Sequence, residues 1–128
     1  MVIDASAILA ILLEEADASV YASAMADSPT CLISAASLVE TSLIALRLRA
    51  PDPIAALDTL IDALAIEVIP VDRDQAMLAR EAFRRFGKGR HKAALNFGDC
   101  FSYALAKHTG QPLLFKGDDF SQTDIPAA

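Results

Sequence analysis

The chain predicts an α/β fold, with a central, mostly parallel sheet of four to five strands flanked by helices, and three observations carry that reading. Short apolar runs alternate with helical segments along the whole length. Such alternation closes through right-handed crossovers into a parallel sheet covered on both faces. The 128 residues suit one domain, 1–128, with a single core, and no repeat, low-complexity tract or Gly/Ser linker divides them. At 54% apolar residues, there is ample material to bury and no case for disorder.

Residues 1–4 form a short apolar run fit for a buried strand, and a helical run follows from 6 to about 15. A second helix over 17–26 stops at Ser28-Pro29, because proline disfavours a helical residue before it. Residues 30–34 read as strand; 35–49 have helical character and end before Pro51. Within 53–64, Ile54, Leu57, Ile61 and Leu64 share one face and Asp58 and Asp62 another, the pattern of an amphipathic surface helix. The β-branched run 66–71 is a strand. Residues 74–86 return to helix, with Ala79, Ala82, Phe83 and Phe86 inward, Arg80, Arg84 and Arg85 outward, and Gly87 as the stop. After the loop 87–98 a helix begins near Asp99 and ends at Gly110, and 112–115 is the last strand.

The longest unbroken apolar run, 7–13, has seven residues against the ~20 of a membrane-spanning helix, so no membrane span is expected. Met1-Val2-Ile3-Asp4 lacks the basic start of a secretory signal, which points to the cytoplasm. Cys31 and Cys100 lack metal-ligand spacing and read as reduced core residues. Seventeen acidic against 11 basic residues give a net charge of −6, which alone disfavours a polyanionic partner. Six of the basic residues nevertheless crowd into 80–92: Arg80, Arg84, Arg85, Lys88, Arg90 and Lys92. Either a solvated helix face running into a loop or a phosphate-binding patch accounts for them.

Ligands of parallel α/β sheets bind beyond the carboxyl ends of the strands, and acidic residues collect there. Asp4 directly follows the first strand. Glu40 has Ala36, Leu43 and Ile44 as helical neighbours and so projects from a largely apolar face. Asp99 opens the helix after Asn96-Phe97-Gly98, and Asp118 and Asp119 follow the last strand. Each has an ordinary explanation, as a helix cap or a solvated turn. Together, four elements bring carboxylates to one sheet edge. Two carboxylates ~5 Å apart repel by about 3 kcal/mol at an effective dielectric of 20, so such a cluster calls for a cation. An all-oxygen donor set suits Mg²⁺ or Mn²⁺ rather than zinc, and activates water for displacement at phosphorus.

The acids at 4, 40, 99 and 118/119 stand within Val-Ile-Asp-Ala-Ser, Leu-Asn-Phe-Gly-Asp-Cys-Phe and Phe-Lys-Gly-Asp-Asp-Phe, with Phe-Arg-Arg-Phe-Gly-Lys-Gly-Arg-His between. In these segments the chain resembles PIN-domain ribonucleases, specifically VapC-type toxins of bacterial toxin–antitoxin pairs, over essentially its whole length. The resemblance implies an α/β/α PIN domain, Mg²⁺-dependent RNA cleavage, a homodimer, and inhibition by a small VapB-type antitoxin; the all-oxygen donor set lets Mn²⁺ substitute. By position, Asp4 and Asp99 match the principal metal ligands and Glu40 the third acid, while either Asp118 or Asp119 matches the fourth. Ser6 matches a hydroxyl that lines the site, and Arg84, Arg85, Lys88, Arg90 and Lys92 are the expected RNA contacts. The alternative is a catalytically silent PIN-fold binding or regulatory partner, against which stands the retention of all the acids.

Overall fold

The computed structural model describes residues 1–128. Four short strands, β1 (Val2–Ile3), β2 (Cys31–Ser34), β3 (Ile66–Ile69) and β4 (Leu113–Leu114), form one sheet in the order β3-β2-β1-β4. All neighbours are parallel, and Val2 sits opposite both Leu32 and Leu113. Six helices accompany them: α1 (Ala5–Leu12), α2 (Ala18–Ala26), α3 (Ala35–Ala45), α4 (Pro53–Ala63), α5 (Arg73–Phe86) and α6 (Phe97–Thr109). The chain builds outward from β1 to β3 and then returns to place β4 on the other side of β1. At such a reversal the loops leaving adjacent strands diverge and open a crevice.

The two-residue period of the strands sorts side chains to opposite faces. Val2 and Leu113, with the partly buried Leu32, meet Ala79, Ala82 and Phe86 of α5 and Tyr103, Ala104 and Leu105 of α6. Ile3, Leu114, Cys31 and Ile33 meet Ala7 and Ile8 of α1, Met25 of α2, and Leu57 and Ile61 of α4. The single core expected from the sequence is thus divided by the sheet into two. Both cysteines are free and buried.

Several elements are shorter than their apolar patterns. Helix α1 stops at Leu12 rather than near residue 15, because Glu14 takes a left-handed conformation (φ 52°) and Glu15 N–H bonds back to Ala10 O. Helix α3 ends at Ala45 rather than 49, passing into a turn in which Leu48 N–H reaches Ala45 O. Strand β3 ends at Ile69, since Pro70 has no N–H to give the ladder. Helix α5 begins one residue early because Asp72 caps it, accepting from Gln75 N–H at 2.8 Å. Phe83, expected inward, is 39% exposed.

Candidate active site

Asp4 leaves β1 with its N–H bonded to Leu114 O at 2.9 Å, so the sheet itself sets its position. Its carboxylate is the N-cap of α1: Oδ2 accepts from Ser6 N–H at 3.0 Å and from the Ser6 hydroxyl at 2.6 Å. Ser6 Oγ in turn accepts from Lys116 N–H at 3.0 Å. The other oxygen, Asp4 Oδ1, is buried with no partner. An orphaned carboxylate oxygen is costly to bury, and a cation is the partner that suits it.

Asp99 is held by the start of α6. Asn96, not Asp99, is the N-cap, and the two form a reciprocal capping box: Asn96 Oδ1 accepts from Asp99 N–H (3.0 Å) and Asp99 Oδ2 from Asn96 N–H (2.7 Å). One Asp99 oxygen is therefore anchored. Burial pushes this carboxyl up to about 6; the Asn96 bond opposes the rise, and the charges of Asp4 and Asp119 add to it.

Glu40 arrives on α3, which approaches α6 through small residues. Ser37 Oγ and Ser102 Oγ lie 3.1 Å apart in the buried interface. A Cβ on Gly98 would come within 2.1 Å of both Glu40 carboxylate oxygens, so only glycine leaves that seat open. Burial raises the Glu40 pKa, with Asp4 and then Asp99 adding to it. Asp119 sits at the head of the 3₁₀ turn Phe120–Gln122. It lines the same cleft of about 230 Å³ as Asp4, Ser6, Glu40, Asn96, Asp99 and Lys116. Asp118 is exposed outside that cleft, with its main-chain oxygen accepting from the Ser121 hydroxyl.

The carboxylates line one cleft without closing on a point: no group of three or more His, Cys, Asp or Glu side chains is close enough to hold a metal ion as it stands. Their mutual repulsion, which lifts both Glu40 and Asp99, opposes further approach. The donor set, oxygen throughout with one orphaned buried atom, fits a hard divalent cation. Sequence reasoning missed Gly98, Asn96 and Lys116. The Asn-x-x-Asp spacing at 96–99 was a readable capping-box signal for one of them.

The five basic residues expected to contact RNA divide into two groups. Arg84 pairs with Glu81 (2.6 Å); Arg85 pairs with Asp124 (3.3 Å) and lies over the Phe86 ring at 4.6 Å. Lys88, Arg90 and Lys92 are exposed, have no carboxylate partner, and sit on the loop that runs into Asn96. That loop is closed at its base by Lys88 N–H to Leu95 O and Leu95 N–H to Phe86 O, both 2.9 Å.

A parallel α/β sheet with a cleft of carboxylates at its switch point has the donor set of enzymes that act on phosphate esters through a hard cation, nucleases among them. The PIN domain family model matches residues 1–126. The chain is 51% identical to Ribonuclease VapC of Mycolicibacterium smegmatis, covering 99% of this chain and 98% of that one. It is 49% identical to Ribonuclease VapC30 of Mycobacterium tuberculosis, covering 98% and 95%. Among solved structures, Mycobacterium tuberculosis VapC20, described as a sarcin–ricin loop cleaving toxin, superposes with a TM-score of 0.75 at 22% identity, covering 99% of this chain and 97% of that one. A toxin–antitoxin complex from Klebsiella pneumoniae superposes at 0.71 and 16% identity, covering 96% and 92%. The chain belongs to the PIN-domain family and, within it, to the VapC ribonucleases. Divalent-metal dependence is typical of that family.

Proposed function

We propose that the chain is the Mg²⁺-dependent ribonuclease toxin of a VapBC-type pair, hydrolysing RNA phosphodiester bonds at the cleft of Asp4, Glu40, Asp99 and Asp119. The observation that carries the metal site is the buried, unpartnered Asp4 Oδ1 at the meeting of four carboxylate-bearing elements. A divalent ion bound there supplies Lewis-acid polarisation of the phosphate and a water of lowered pKa. The protein's own part is placement. Ser6 holds Asp4 Oδ2 and leaves Oδ1 for the ion; Asn96 does the same for one oxygen of Asp99; Gly98 makes room for Glu40. Mn²⁺ substitutes for Mg²⁺, while Ca²⁺ binds with poor turnover, since its looser shell aligns water and phosphate less strictly. Lys88, Arg90 and Lys92 hold the RNA backbone.

The remaining features follow from the same reading. The chain acts as one domain, 1–128, in the cytoplasm, as a homodimer held inactive by a VapB-type antitoxin. No helix is long and apolar enough to cross a membrane. Exposed apolar residues beside the cleft, Val39, Leu43 and Phe97, supply the surface that a protein partner covers.

The deciding experiment is RNA cleavage with Mg²⁺, Mn²⁺, Ca²⁺ or EDTA, for the wild type and Asp99→Asn. Cleavage with Mg²⁺ and Mn²⁺, silence in EDTA, and loss in the folded variant are expected. Full activity of Asp99→Asn would sink the site assignment, and a folded protein that binds antitoxin but never cuts RNA would favour the regulatory alternative.

A further inference from the structure

We propose that Lys116 is a positioning residue of the active site, tying the α1–α2 turn to the loop behind β4 so that Asp4 and Asp119 face one cleft; this rests on the metal-dependent ribonuclease reading above. Two arms leave the residue. Its main-chain N–H donates to Ser6 Oγ at 3.0 Å, and Ser6 Oγ–H donates to Asp4 Oδ2 at 2.6 Å. A hydroxyl has one proton to give, so accepting from Lys116 leaves that proton for Asp4 and keeps Oδ1 as the free oxygen. The second arm is the ammonium, which donates to Asp17 Oδ1 at 2.7 Å and to Glu15. The early end of α1 and the left-handed Glu14 put those two carboxylates within reach. Gly117 (φ +98°) then turns the chain directly after Lys116 and carries it to Asp119 in the cleft.

Magnitudes favour positioning over the two other roles open to a lysine here. As a surface ion pair with more than a third of each side chain exposed, the clamp contributes too little to stability for that to be its main consequence. As a phosphate ligand it is poorly placed, because two carboxylates already surround its single charge. What it does supply is two ties from one residue at the start of the loop bearing Asp119, its main-chain N–H to the cap of α1 and its ammonium to the α1–α2 turn.

The test compares wild type, Lys116→Gln, Lys116→Arg and the double variant Glu15→Gln/Asp17→Asn. Mn²⁺ is titrated into RNA-free protein by calorimetry, and kcat and KM are measured separately with Mg²⁺. Loss of a partner that orients a metal ligand weakens metal binding 10–100-fold. Lys116→Gln keeps the main-chain bond to Ser6 and removes the ammonium tie to the α1–α2 turn, which frees the loop bearing Asp119; it should bind Mn²⁺ about tenfold more weakly and lose kcat at nearly constant KM, with its melting temperature close to wild type. The carboxylate double variant should behave alike, and Lys116→Arg should recover most of the loss. Unchanged Mn²⁺ affinity and kcat in Lys116→Gln would overturn the proposal. So would a rise in KM alone with the double variant unaffected, which would make Lys116 an RNA ligand. A wild type that neither binds Mn²⁺ nor cuts RNA would remove the ribonuclease reading and this inference with it, whereas an active wild type with an unaffected variant removes the inference alone.

Discussion

At the residue scale, helix capping and the proposed metal ligation are compatible roles for the same aspartates rather than competing explanations. Asp4 caps α1 through Oδ2 and Asp99 closes the α6 capping box through its own Oδ2, and each cap immobilises one oxygen while leaving the other uncommitted. Asp4, Glu40 and Asp99 were legible in the sequence as carboxylates at a strand end, on an apolar helix face and at a helix start. Gly98 was not, since its importance is the absence of a side chain beneath a residue 58 positions earlier. Gly98→Ala should separate site from fold. Alanine in helix is favoured by about 0.5–1 kcal/mol, so melting should hold or rise. The new Cβ displaces the Glu40 carboxylate, and RNA cleavage should fall by about tenfold or more. Wild-type cleavage by a stably folded Gly98→Ala would show that Glu40 need not occupy that seat. Asp99→Asn carries a second expectation at this scale: it removes a charge that burial disfavours first and the neighbouring Asp4 and Asp119 further, so at pH 7 the metal-free protein should be more stable, by about 1 kcal/mol, even as activity is lost.

At the scale of elements, the strands and helices were readable from periodicity, but their ends were decided by local hydrogen bonding that apolar pattern does not encode. The left-handed Glu14 and the turn after Ala45 shorten α1 and α3, and Asn96 moves the start of α6 two residues earlier than its first carboxylate suggested. The close approach of α3 to α6 depends on Ser37, Gly98 and Ser102, small residues whose pairing across 65 positions has no local signature. Asp124 joins further elements: it accepts from Tyr103 Oη at 2.7 Å on α6 and pairs with Lys107 (3.0 Å) and with Arg85 of α5. Burial raises its pKa, but the bonds from Tyr103 and Lys107 outweigh that, and the carboxyl titrates below its usual range. A carboxylate with a depressed folded pKa adds stability above its unfolded pKa of about 3.9 and loses it as pH falls through the lower folded value. At pH 7 Asp124→Asn should therefore be less stable than wild type, by about 0.5–1 kcal/mol given the exposure of the ion pairs. The gap should narrow as pH falls below about 3.9 towards the lower folded value. A melting-temperature difference that is constant from pH 7 to pH 3 would mean the charge of Asp124 is not what joins these elements.

For the whole molecule, the question is how a chain of net charge −6, with a cleft of carboxylates, attracts a polyanion. On the proposed reading, the charge distribution supplies the route. Arg84 and Arg85 direct their charge to Glu81 and Asp124, whereas Lys88, Arg90 and Lys92 stand unpaired on a loop whose base is closed by the Gly87–Leu95 bridge and whose exit is Asn96 at the cleft. The sequence located this basic segment but could not divide it, because the carboxylates that neutralise two of the arginines become neighbours only through helix geometry and the return of the chain at Asp124. The division makes a quantitative prediction. Binding a phosphate releases counterions, so on a single strand the slope of log K against log salt falls by ~0.7 for each phosphate no longer engaged. In the background of Asp99→Asn, expected to bind RNA without cutting it, adding Arg90→Gln and Lys92→Gln should flatten the slope by about 1.4. Replacing Arg84 and Arg85 instead should change it little, since their charges are already matched within the protein. In an otherwise active chain, the Arg90 and Lys92 replacements should also leave the preferred cleavage sequence unchanged, because phosphate contacts carry no base information. RNA affinity measured across a salt series decides the matter: equal slopes for the two double replacements would return the loop to a solvated surface and leave the substrate's path to the carboxylates to some other face.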